Sequence, residues 1–192
     1  WSRPLFYKAN PMNLMRGDDM TFLKRWYKEQ AGVAAVEAAL MFPTLVVMMV
    51  SLVDIGNGLL SNQHLINAAQ TTADLVTRSA NPSLEDRQNA ILAGQVVMSP
   101  YPTNTYEYAI ASYQFDNAGN ADLVWQESSG GSLPSGMSGG LDGLGGPGEG
   151  VVVVRVSYTY EPFFTGFIIG PIEMSEVAYL RGRQSAVVGN PL

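Results

Sequence analysis

The chain has 192 residues, of which 46% are apolar and only 15% charged, with a net charge of −6. That length holds one ordinary domain plus an anchor, and the charged share falls below the roughly 25% usual in soluble domains, which points to a membrane segment or an assembling surface. Cysteine is absent, which excludes disulfide frameworks, thiolate metal sites and cysteine nucleophiles.

Residues 1–30 are polar and irregular, and carry Arg3, Lys8, Arg16, Lys24, Arg25 and Lys28 against Asp18, Asp19 and Glu29. Beyond them stand five basic and fourteen acidic residues. A cationic flank ahead of an apolar run sets a cytoplasmic N-terminus, and the acidic remainder argues against a nucleic-acid partner. Phe22, Trp26 and Tyr27, interleaved with Lys24, Arg25 and Lys28, suit the headgroup level of a membrane.

Between Ala38 and Val53 there is no formal charge. With its flanks this run is long enough to cross a hydrocarbon core of roughly 30 Å, and Pro43 inside it is tolerable in a membrane helix. The helical pattern continues through Ile55, Leu59, Asn62, Ile66, Ala69, Ala73, Val76 and Ala80, one face apolar except at Asn62, so one helix is expected from about residue 32 to residue 80. Asn81-Pro82 stops it, and Ser83-Leu84-Glu85-Asp86 opens a second helix that ends near Ser99-Pro100.

Strands follow. Residues 106–115 alternate, Asn117-Ala118-Gly119-Asn120 signals a turn, and residues 121–127 return as a hairpin. Residues 128–150 hold ten glycines and read as a flexible loop. Residues 151–160 form the strongest strand, and 173–184 read as the last. The fold class is α+β: a long N-terminal helix, a second helix and an antiparallel sheet of about four strands.

The segment that carries chemistry is Gln30-Ala31-Gly32-Val33-Ala34-Ala35-Val36-Glu37. Gly32 offers a peptidase a backbone without a side chain. Cutting after Gly32 leaves a new ammonium group on Val33. Glu37 is then the fifth residue of the processed chain. An acid inside lipid costs roughly 2.5–3.5 kcal/mol at the centre of a span, so it calls for a cationic partner. The ammonium of a neighbouring copy is one, and the pair would set the register between packed helices.

These residues resemble the TadE/TadG-like pseudopilins of tight-adherence pilus systems. The resemblance rests on Gly32-Val33-Ala34-Ala35-Val36-Glu37-Ala38-Ala39-Leu40, then Phe42-Pro43, Asp54-Ile55-Gly56 and Asn67-Ala68-Ala69-Gln70, and covers about residues 24–80. It implies a leader, 1–32, removed by a prepilin peptidase, a transmembrane pilin-like helix, 33–60, and an exported domain, 61–192. It implies a minor pilin that takes part in pilus assembly, is held in the inner membrane and is partnered by other pilins and the assembly machinery. The alternative is an uncleaved single-pass envelope protein whose exported domain binds a ligand or partner.

Other candidates carry plainer readings. Asp54 reads first as an interfacial carboxylate reaching water, and second as a subunit contact. His64, the only histidine, reads as a polar helix-face residue. The glycine-rich stretch 139–146 lacks the Lys-Ser/Thr of a phosphate loop and the repeated Asp of a calcium loop. Tyr101, Tyr106, Tyr108, Tyr113, Tyr158 and Tyr160 read mostly as sheet residues. No catalytic residue, metal or cofactor is expected, and no enzyme.

Overall fold

The computed structural model describes residues 30–130, 140–141 and 143–189, with side chains from Gly32 onward. The basic leader and the glycine-rich residues 131–139 lie outside the described residues. The chain divides into two compact units, one ending at Met49 and the other spanning Val50–Leu192.

The first helix, α1, is Gln30–Val76 and contains Pro43. Over residues 32–49 its side chains are all exposed, including Leu40, Met41, Phe42, Leu45 and Met48. It stops four residues short of the expected end. The Thr77 hydroxyl turns back to the carbonyls of Ala73 and Asp74, at 2.8 and 3.1 Å. The Thr77 and Ala80 carbonyls then accept the amides of Arg183 and Gly189, at 3.0 and 2.8 Å, so the C-terminal tail takes up the chain that would have prolonged the helix.

The second helix, α2, is Leu84–Val97 and starts as its sequence dictates. Ser83 caps the Asp86 amide while the Asp86 carboxylate accepts the Ser83 amide, a reciprocal capping box. Those hydrogen bonds, the Ser83 hydroxyl first, hold the Asp86 carboxyl below its usual range. The two helices meet over small residues, Ala68, Thr72 and Ala73 against Ala90 and Gly94. A Cβ on Gly94 would stand 2.3 Å from the Thr72 hydroxyl oxygen, so only glycine permits this approach.

Strands β1 (Glu107–Phe115), β2 (Ala121–Ser129), β3 (Gly150–Tyr160) and β4 (Ile172–Leu180) form one antiparallel sheet in the order β2-β1-β3-β4. Alternation sends Ile110, Val152, Val154, Val156 and Tyr158 to the helices, where they bury Leu65, Ala69, Val76 and Ile91. The other face buries Ala111, Tyr113, Phe115, Val151 and Val153. The fold is α+β, as expected.

Two expectations change. The last strand ends at Leu180, not Gln184, because the tail leaves the sheet to pair with the end of α1. Within the tail, the Val188 carbonyl accepts both the Ser112 hydroxyl and the Trp125 indole N–H, at 2.7 and 3.0 Å. The glycine-rich connection is also less free than expected over its described part. Leu141 is fully buried against Phe115, and the Phe115 amide donates to the Glu149 carbonyl at 2.8 Å. Gly145 lies on the Phe115 ring, where an added Cβ would approach to 2.3 Å.

Candidate functional site

Gly32, Val33 and Glu37 all lie in the opening turns of α1, which begins at Gln30. Among the described residues, a Cβ on Gly32 would meet nothing within 4 Å. Val33 and Glu37 are four residues apart and therefore share one helix face. From Gly32 to Val53, Glu37 is the only formally charged residue. A helix that is apolar all round and buries none of these side chains within its own chain has the character of a membrane span. It is long and apolar enough to cross one, and it stands near the N-terminus.

Asp54 differs from Glu37 in chemistry. It belongs to the unit that begins at Val50, and its residue is only 3% exposed. Its Oδ1 accepts the Phe163 amide at 3.2 Å. Its Oδ2 accepts the amides of Phe164 and Thr165, at 2.9 and 2.6 Å, and the Thr165 hydroxyl at 2.8 Å. Three successive backbone N–H groups thus form a nest around a carboxylate supplied by the chain itself. The Tyr160 hydroxyl adds a bond to the Asp54 carbonyl at 3.1 Å. The first expectation for Asp54, a carboxylate reaching water, is overturned: four donors on the β3–β4 connection hold it inside. Both of its side-chain oxygens are engaged within the chain.

That connection also holds a four-residue helix, α3 (Gly166–Ile169), which the hydrophobic pattern did not reveal. The signal was present in a different form. From Pro162 to Ile172 there are eleven residues without a charge, bounded by Glu161 and Glu173.

The remaining candidates take structural places. The His64 Nδ1–H donates to the Val97 carbonyl at 2.6 Å, and its ring meets Tyr101 edge-to-face at 5.6 Å, so it joins α1 to the end of α2. Tyr106, Tyr113, Tyr158 and Tyr160 are buried, and Tyr101 and Tyr108 partly so. Burial pushes the Tyr106 hydroxyl up to about 12.

Comparison with known families agrees with the resemblance read from the residues. Residues 32–74 match the family described as TadE-like protein. The match begins at Gly32 and ends within the last turn of α1, so it contains Val33, Glu37 and Asp54. No curated protein and no solved structure matches the chain.

Proposed function

We propose that this chain, whose first helix carries a TadE-like segment, is a minor pilin or pseudopilin that takes part in assembling a tight-adherence, type IV-like pilus in the cell envelope. One observation carries the reading: Glu37 sits five residues after Gly32 at the head of α1, and is the only formally charged residue between Gly32 and Val53. The TadE-like match over the same residues supports it.

In this mechanism a prepilin peptidase cuts between Gly32 and Val33 on the cytoplasmic side of the inner membrane. The cut removes the basic leader and places an ammonium group at the head of the anchor. Helices of neighbouring subunits then pack laterally. The Glu37 carboxylate, costly in lipid without a partner, pairs with the ammonium of an adjoining subunit and sets the axial register. Apolar helix surface that lipid covers before assembly is covered by other helices afterwards. The exported domain, 61–192, supplies contacts to other pilins and the assembly machinery.

The test is the N-terminal residue of the protein extracted from envelopes of cells that carry the peptidase. A chain beginning at Val33 is the expected result. A chain that keeps its leader while the peptidase is active refutes the pilin reading in favour of an uncleaved envelope protein.

A further inference from the structure

The connection between β3 and β4 spends eleven uncharged residues on a projection that buries little of itself. Phe163 is 84% and Phe167 87% exposed, and Ile168 and Ile169 are also exposed. Phe163 and Phe164 pack edge-to-face, with ring centroids 4.9 Å apart, so the projection has a shape of its own. Exposed apolar groups this dense mark an interaction surface, not ordinary surface scatter.

Its position says what covers it. The nest at 163–165 is fastened to Asp54, and Asp54 is the first charged residue after the uncharged run that ends at Val53. The projection is therefore tied to the point where the chain leaves its most apolar stretch. Helix α1 continues apolar and exposed beside it, at Ile55 and Leu59. Between the two lies a cleft of about 270 Å³, whose lining includes Ile55, Leu59, Ile169, Ile172 and Met174. Glu161 and Glu173 close the projection on either side, as charges would at the edge of a lipid-facing patch.

We infer that residues 162–172 form a membrane-dipping paddle that inserts its Phe163, Phe167 and Ile168 side chains into the outer interface of the bilayer that α1 crosses. The inference rests on the anchor reading given above. Asp54 acts as the paddle's fastener: by occupying three backbone N–H groups that lipid could not satisfy, it lets an irregular loop enter the apolar boundary. The paddle holds the exported unit down on the membrane until assembly withdraws the anchor.

The absence of cysteine makes the test direct, since single cysteines can carry an environment-sensitive fluorophore. The full chain is reconstituted into vesicles of phosphatidylethanolamine and phosphatidylglycerol with labels at F167C, M48C and A118C. Ala118 lies in the exposed β1–β2 turn, at the opposite end of the sheet from Tyr160. The expected result is a blue-shifted F167C label quenched by lipids with a nitroxide near the headgroup, an M48C label quenched by lipids with a nitroxide deep in the acyl chain, and an A118C label quenched only by aqueous iodide. An F167C label open to iodide while M48C is lipid-quenched overturns the paddle and leaves the anchor standing. An F167C label shielded from both quenchers assigns the patch to a protein contact and also overturns it. An M48C label open to iodide removes the anchor and the paddle with it.

Discussion

Replacing Thr165 with Val tests whether the nest around Asp54 holds the β3–β4 connection in place. The two side chains have nearly the same volume, so the change removes a donor without opening a cavity. The lost bond is 2.8 Å long, between a buried hydroxyl and a carboxylate oxygen. A hydrogen bond to a charged acceptor contributes about 1.5–3 kcal/mol, and here the new methyl group also blocks any water that might replace it. A loss of about 2 kcal/mol follows, which for a folded unit of this size lowers the melting temperature by about 4–8 °C. The assay is thermal unfolding of the full chain in detergent micelles, followed by near-ultraviolet circular dichroism. Amide hydrogen exchange at Phe163, Phe164 and Thr165 gives the local readout and should quicken in the variant. Asp54→Asn should cost more than Thr165→Val, because the amide turns a donor toward N–H groups that need an acceptor. If Thr165→Val leaves both the melting temperature and the three exchange rates unchanged, the nest does not hold the connection.

Gly145→Ala drives a methyl group into the Phe115 ring and should cost about 1–3 kcal/mol, the range for overpacking, with faster exchange at Phe115 and Gly148; unchanged stability would show that the described part of the glycine-rich connection yields freely. Ser83→Ala removes the N-cap of α2 and should cost about 1 kcal/mol in the same unfolding assay. The Asp86 carboxyl titrates lower when folded than its ordinary value of 3.8, so its contribution is complete above that value and fades as the pH falls through the folded one. Asp86→Asn should therefore be less stable than the parent at pH 7, with the gap narrowing on acidification below pH about 4; a gap that widens there contradicts the cap. Glu37→Ala should still insert and be cleaved, yet enter pili poorly in cells lacking other copies, as measured by its share in sheared pili. Normal incorporation would remove Glu37 from assembly.

The two helices, the β1–β2 hairpin and the apolar anchor were legible along the chain, because each depends on neighbours a few residues apart, whereas the strand order was not, since β1 pairs with β3 across residues such as Tyr108 and Val156. Period and capping placed α2 to within a residue or two, and the lone charge at Glu37 stood out against its uncharged surroundings. The partner of Asp54 was not legible. Its donors lie 109–111 residues away, and nothing local to Asp54 distinguishes a carboxylate bound for water from one bound for a backbone nest. The early end of α1 and of β4 shares this cause: the tail residues Arg183 and Gly189 compete for backbone groups that local preference would have assigned to a longer helix and a longer strand. By itself the sequence determined where the chain is apolar, where it is charged and how far each periodic segment can run. Only the tertiary structure decided which groups from distant segments meet, because buried hydrogen-bonding groups must find partners wherever the fold brings them.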